Sequence, residues 1–230
     1  MNIKKPIPTN NVHFPDPWIL SEESDGLLYI GGNLDPDTLL RAYGAGIFPW
    51  PLEEEYPLFW FCPQPRGVLD FDRLHIPKSV EKIRKKYIYS FTFNKAFTQV
   101  VEACAKQPRP GQNGTWIVPN MLPSYEKFHK LGYAHSIECW QGDRLVGGLY
   151  GVCVKGVFSG ESMFHLEANT SKLCLVEMAL KLKSLGLQWM DIQMLTPVTE
   201  ALGGTYISRK EFLVRLQQVH AKQPPEKIQL

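Results

Sequence analysis

His135-Ser136-Ile137-Glu138-Cys139-Trp140-Gln141-Gly142-Asp143-Arg144-Leu145-Val146-Gly147-Gly148-Leu149-Tyr150-Gly151-Val152-Cys153-Val154-Lys155-Gly156-Val157-Phe158-Ser159-Gly160-Glu161-Ser162-Met163-Phe164 is the stretch on which the fold turns. It holds three runs rich in apolar, β-branched and aromatic residues, His135 to Trp140, Arg144 to Val154 and Gly156 to Phe164. Gln141-Gly142-Asp143 and Lys155-Gly156 separate them and suit tight turns, so an antiparallel meander is expected. Upstream, Pro77 to Tyr87 and Lys95 to Lys106 read as helices: Ile83 and Tyr87 are four apart in the first, and Phe97, Val100, Val101 and Cys104 mark one face of the second. Pro108 to Gly114 reads as a loop, and Leu122 to Leu131 as a third helix stopped by Gly132. Downstream, Ser171 to Leu185 forms a strong helix closed by Gly186, followed by a strand from Gln188 to Gln193. Helices, a meander, a helix and a returning strand make an α+β (mixed α/β) domain.

Outside this core, the first 65 residues are rich in turns and aromatics, including Gly31-Gly32-Asn33 and Gly44-Ala45-Gly46-Ile47-Phe48-Pro49-Trp50. Asp35 to Tyr43 has the acidic start and glycine stop of a short helix. Two prolines in Cys62-Pro63-Gln64-Pro65 mark a boundary, dividing the chain into a small N-terminal lobe, residues 1–65, and a main domain, residues 66–230. With 230 residues and 44% hydrophobic content the chain is globular rather than disordered. It has no apolar run of about eighteen residues, and Met1 to Pro17 is polar and Pro-rich. Neither a membrane span nor a signal peptide is read, and the expected location is the cytoplasm. Five cysteines, an odd number without a CxxC pair, read as reduced and structural, and the six scattered histidines show no metal spacing.

The net charge of +2 is unevenly placed. Arg66, Arg73, Lys78, Lys82, Arg84, Lys85, Lys86 and Lys95 stand against Asp70, Asp72 and Glu81 alone. Such a surplus is either a solvated helix face or a phosphate-binding patch.

Asp191 and Gln193 lie two apart in a strand and leave the same face, with Met190, Ile192 and Met194 on the other. A carboxylate beside a carboxamide can orient a nucleophile and a carbonyl, or the aspartate can simply cap the following loop, and spacing leaves both readings open. In Gly160-Glu161-Ser162-Met163-Phe164 the same alternation pairs Glu161 with Met163 and Ser162 with Phe164. A glutamate in so apolar a strand needs a partner if it is buried. Ser162, His165 and Asp191 supply the residue types of a triad, but a nucleophile elbow needs glycine where Phe164 stands. Arg144 to Leu149 looks superficially like the pyrophosphate loop of CoA-dependent acetyltransferases, yet it lies within a strand, and Leu166 to Lys172 has no glycine to expose helix amides. Trp50 and Trp116 follow glycine-rich turns and are either displayed, as stacking on unpaired bases requires, or, as aromatics usually are, part of the core.

Taken together, the motifs resemble the bacterial leucyl/phenylalanyl-tRNA-protein transferases. The matching pieces are Tyr43 with Gly46-Ile47-Phe48-Pro49-Trp50, Trp60 with Pro63-Gln64-Pro65-Arg66, Gly114-Thr115-Trp116-Ile117, Leu131 to Glu138, Leu145 to Val152, Gly160 to Phe164 and Asp191-Ile192-Gln193. They occur in family order from about residue 12 to about residue 215; the loop at Pro108 to Asn113 is longer than the family pattern, and the last ten or so residues match nothing. The resemblance implies an acetyltransferase-like (GNAT/Fem-like) main domain carrying a small N-terminal lobe. It implies transfer of Leu or Phe, and less readily Met, from aminoacyl-tRNA to the α-amino group of proteins beginning with Arg or Lys, marking them for N-end-rule degradation. Glu161, Asp191 and Gln193 fall on the family's reaction-centre positions, Trp50 and Trp116 on those beside the tRNA 3′ adenosine, and Phe158 and Met163 on the aminoacyl pocket.

The chemistry suits such a reaction. An aminoacyl ester is already activated, so no ATP, metal or other cofactor is expected, and positioning can supply much of the rate. An ordinary aspartate near pKa 4 is a feeble base, so Asp191 reads as orienting the amine and accepting a proton only if burial raises its pKa. Lys82, Arg84, Lys85 and Lys86 would hold tRNA phosphates. Two other readings compete: an acyl-CoA N-acyltransferase of the same fold, and a non-catalytic tRNA-binding module. Nothing in the sequence demands more than a monomer.

Overall fold

The computed structural model describes residues 12–50, 57–107 and 121–230. In chain order it contains β1 (Leu27–Ile30), α1 (Pro36–Gly44), β2 (Phe48–Pro49), β3 (Phe59–Phe61), β4 (Arg66–Asp70), α2 (Lys78–Arg84), β5 (Ser90–Phe93), α3 (Phe97–Lys106), α4 (Met121–Lys130), β6 (Ala134–Gln141), β7 (Arg144–Val154), β8 (Val157–His165), α5 (Thr170–Ser184), β9 (Trp189–Gln193), α6 (Pro197–Ala201), β10 (Thr205–Ile207) and α7 (Arg209–Ala221). The class is mixed α/β, as the order of runs predicts.

Local chemistry accounts for the elements. Asp35 caps α1 by accepting from the Thr38 backbone N–H at 2.9 Å, and Pro36 follows where a missing N–H does no harm. The β7–β8 turn is tight because Lys155 and Gly156 both take positive φ, 48° and 80°, the backbone a type I′ hairpin requires. Gly132, at φ 84°, closes α4. The helix expected over Pro77 to Tyr87 departs from expectation. It stops at Arg84 rather than Tyr87, because Tyr87 turns to φ 52° and stands 90% exposed, with no apolar surface to hold a further turn.

The strands form two sheets. β1, β3 and β2 make a small antiparallel one, and the larger runs β10-β4-β9-β8-β7-β6-β5. All neighbours in the larger sheet are antiparallel except β8 and β9, which run parallel and are paired only at Phe158↔Met190 and Ser159↔Asp191. Beyond that pair of rungs the two strands carry no further ladder. On one face, α3 and α4 pack with Tyr150, Val152 and Phe164, and α1, Phe48 and Trp60 from the first 65 residues join the same core. On the other face α5 packs Cys174, Met178 and Leu182 against Leu149, Phe158 and Met190. No helix among the described residues is long and apolar enough to cross a membrane.

One irregularity matters for the site. The β7–β8 register shifts between Tyr150 and Gly151, so that Tyr150 faces Ser162 while Gly151 faces Gly160, and Glu161 is the extra residue of a bulge. Simple alternation therefore fails: Glu161 turns to the face of Tyr125, whereas Met163 packs on the α5 face. Glu161 and Met163 do not share a side of the strand.

Candidate active site

Where the β8–β9 ladder ends, side chains take over from backbone. Gln193 Nε2 donates to Glu161 Oε1 at 2.9 Å, joining the two strands. Gln193 also has φ 60°, which turns its own N–H onto Asp191 Oδ1 at 2.9 Å. The capping reading of Asp191 thus holds in part, but it accounts for only one of four hydrogen bonds. Arg66, opening β4, donates Nε to Oδ1 at 2.8 Å and Nη2 to Oδ2 at 2.6 Å, and Ser159 Oγ donates to Oδ2 at 3.2 Å. The arginine–carboxylate fork is bidentate and both side chains are buried.

The guanidinium lies between two rings, 4.7 Å from the Phe48 centroid and 4.4 Å from that of Phe212. Burial alone would weaken its charge; Asp191 more than offsets this, and the pKa of Arg66 is raised. Among the described residues Nη1 has no hydrogen-bond partner.

Glu161 has a different environment. It is buried, and burial pushes its carboxyl up to about 8, aided by the nearby Asp191 charge and opposed by a hydrogen bond from Tyr43, by Arg66 and by Gln193. The Tyr43 and Tyr125 hydroxyls are 2.7 Å apart, and Tyr125 Oη lies 3.5 Å from Glu161 Oε2. Burial and the neighbouring carboxylate push both phenols well above their usual range, so they remain donors at neutral pH. A buried acid that titrates near neutrality, held between a carboxamide and two phenols, can accept and return a proton.

Glu161, Asp191 and Gln193 are therefore brought together. Phe158 and Met163 are not: both lie on the α5 face, Phe158 wholly buried. Trp50 is half-buried at the end of β2, its ring 6.2 Å from Phe48, and Trp116 lies outside the described residues, as does the loop at Pro108 to Asn113. Arg84 bonds Glu177 of α5 at 2.5 Å and approaches Glu81 at 3.7 Å, while Lys85 lies 3.4 Å from Glu81. Helix α2 thus sits on the α5 side, across the sheet from Glu161. No triad forms, since Asp191 is committed to Arg66, Ser159 and Gln193, and His165 is exposed at the strand end. Two surface hollows of about 460 and 390 Å³ lie apart from these residues, one beside Asp35 and Lys127, the other beside Arg73 and Arg215. Among the described residues no three His, Cys, Asp or Glu side chains are placed to hold a metal.

Residue spacing did not single out Arg66, Tyr43, Tyr125 or Ser159 as site residues. Arg66 alone carried a local signal, a charged residue opening a strand whose middle is apolar.

Comparison with known proteins then decides the family. Residues 68–217 match the model of the leucyl/phenylalanyl-tRNA protein transferases, and residues 32–64 match the model of their N-terminal domain. The chain belongs to that family. A leucyl/phenylalanyl-tRNA–protein transferase of Anaeromyxobacter sp. (strain K) is 45% identical over 203 residues, 88% of this chain and 86% of the relative. One from Nitratidesulfovibrio vulgaris (strain DP4) is 44% identical over 218 residues, covering 95% and 92%. Solved structures overlap only loosely. A GCN5-related glucosamine N-acetyltransferase region of a fungal β-N-acetylglucosaminidase matches with TM-score 0.44 at 11% identity, over 63% of this chain and 20% of that one. L-PGS from Bacillus licheniformis matches with TM-score 0.39 at 12% identity, over 72% and 54%. Likeness of that order carries no weight for the site of this leucyl/phenylalanyl-tRNA protein transferase family member, whose polar centre rests on its own geometry.

Proposed function

We propose that the chain is a cytoplasmic aminoacyltransferase that moves Leu or Phe, and less readily Met, from aminoacyl-tRNA to the α-amino group of proteins beginning with Arg or Lys, marking them for N-end-rule degradation. The observation that carries the mechanism is the pairing of two unlike carboxyls. Asp191 is neutralised by Arg66 and tied down by four hydrogen bonds. Glu161, with its pKa raised to about 8, is matched to an α-amino group of pKa roughly 8. The neutral amine attacks the ester carbonyl carbon and the new C–N bond forms. Glu161 takes the proton the nitrogen sheds and returns it to the ribose oxygen as the ester C–O bond breaks. Asp191 orients: it fixes Gln193, whose carboxamide holds Glu161.

The remaining assignments belong to the same reading. Trp50 and Trp116 flank the 3′ adenosine, and Phe158 and Met163, on the α5 side of β8, support the aminoacyl pocket from behind the sheet rather than line it. Lys82, Arg84, Lys85 and Lys86 meet tRNA phosphates away from the centre, with Arg84 also anchoring α2 to α5. Residues 1–65 act as a small lobe on the domain formed by residues 66–230, and the enzyme works as a monomer. The test is transfer of labelled Phe from Phe-tRNA to a peptide beginning with Arg, with no transfer to one beginning with Val. Equal labelling of both peptides, or of neither, rejects the reading.

A further inference from the structure

Tyr43 is the C-terminal anchor of α1 and belongs to the first 65 residues, yet its hydroxyl reaches into the polar centre of the larger sheet. It lies 2.7 Å from the hydroxyl of Tyr125 on α4, and both are buried. Tyr125 Oη in turn lies 3.5 Å from Glu161 Oε2, so the Tyr43 hydroxyl is linked to the carboxyl through Tyr125. The elements packed around Glu161 each present a defined group: Tyr43 from α1, Tyr125 from α4, Arg66 from β4, and Asp191 and Gln193 from β9. Tyr150 of β7 meets the Tyr125 ring edge-on, with centroids 5.8 Å apart, which steadies that phenol. Of these groups Tyr43 alone comes from the first 65 residues; the others belong to the larger sheet or to the helix over it.

We propose that Tyr43, with Tyr125, is a positioning residue through which the small lobe holds Glu161 in the orientation and protonation state that aminoacyl transfer needs. The inference rests on the reading that Glu161 is the proton acceptor. Its physical basis is the direction of each hydrogen bond. A phenol that stays protonated can only donate to the carboxylate, and a donor favours the ionised form against burial. Gln193 holds one carboxyl oxygen and Tyr125, itself held by Tyr43, faces the other, so the two oxygens have different partners and the side chain has a preferred orientation. Docking of the lobe against α4 then completes the surroundings of the acceptor.

The test is the pH dependence of kcat/KM with one Arg-peptide acceptor, for the full chain and for Tyr43→Phe, Tyr125→Phe and Glu161→Gln. The acceptor's own amine titration is common to all four and cancels. Loss of the Tyr43 hydroxyl moves the acid limb to higher pH by about half a unit or more, with KM for aminoacyl-tRNA unchanged. Tyr125→Phe moves it the same way. Thermal melts establish that each variant is folded, and ¹³C NMR titration of labelled glutamates, assigned by difference from Glu161→Gln, reads the same shift without activity. A lower turnover with the limb unmoved makes Tyr43 merely structural and overturns the proposal. If Glu161→Gln keeps both its activity and the wild-type limb, the titrating group is elsewhere, and it is the assignment of the proton acceptor that fails.

Discussion

Asp191 and Glu161 sit on neighbouring strands, face the same side of one sheet and are both buried, yet their surroundings push them toward opposite work. Asp191 meets a bidentate arginine, a serine hydroxyl and a backbone N–H, so its charge is spent where it stands. Glu161 is held instead by a carboxamide and two phenols, and burial dominates its titration. Burial by itself, then, does not make a carboxyl reactive. Full satisfaction makes a brace, and partial satisfaction in a dry site makes an acid whose proton comes and goes near neutrality.

Breaking the brace is expected to cost the most. Arg66→Met leaves Asp191 charged, buried and unpaired, a change that destabilises by about 3 to 5 kcal/mol, measured by urea unfolding at pH 7. Replacing both partners with apolar residues of similar size, as in Arg66→Met with Asp191→Leu, recovers most of that loss. A double variant as unstable as the single one would mean that the rings of Phe48 and Phe212, rather than the ion pair, hold this corner. Asp191→Asn keeps the shape but disorients Gln193, so turnover falls far more than tRNA affinity; equal losses in both would assign it a purely structural part.

Glu161→Gln probes the same contrast from the other side. On the proposed mechanism, loss of this proton acceptor is expected to lower turnover by about a hundredfold or more. Its effect on stability runs the other way. The folded pKa of about 8 lies above the ordinary 4.5, so the folded state holds a proton that the unfolded chain releases. Stability from this group is complete below about 4.5 and is lost as pH rises through 8. Glu161→Gln should therefore melt higher relative to wild type at about pH 9 than at about pH 6. An offset that is the same at both values would place the titration elsewhere.

How much of this was readable in the residues differs by element. The meander and α5 were legible because their apolar runs and glycine turns are local signals, and Lys155-Gly156 closes the hairpin as its composition predicts. The shared face of Asp191 and Gln193 followed from a period of two. Glu161 defeated that same rule, because the bulge opposite Tyr150 arises from pairing between strands and leaves no mark in one of them. Arg66 and Asp191 are 125 residues apart, and nothing local links them. Tyr43 and Tyr125 look like ordinary core aromatics in their own helices; only packing aims both hydroxyls at one carboxyl. The end of α2 was missed because apolar spacing carries on to Tyr87, while the backbone turns left-handed there and the ring finds nothing to cover it.

The mildest consequences are expected farthest from the two carboxyls, on α2. Arg84 is tied to Glu177, so reversing it would loosen α2 from α5 and confound the result. Lys82, Lys85 and Lys86 are the cleaner probes, since Lys85 gives up nothing more than Glu81 at 3.4 Å. Changing the three to Glu should weaken tRNA binding and flatten its dependence on salt by about 0.7 to 0.9 in log–log slope for each phosphate left without a cation. Turnover at saturating tRNA should hardly move, because α2 lies across the sheet from Glu161. An unchanged salt slope would make α2 a solvated face. A fall in turnover at saturation would mean instead that the two faces of the sheet are coupled, and the division between a reacting side and a holding side would have to be redrawn.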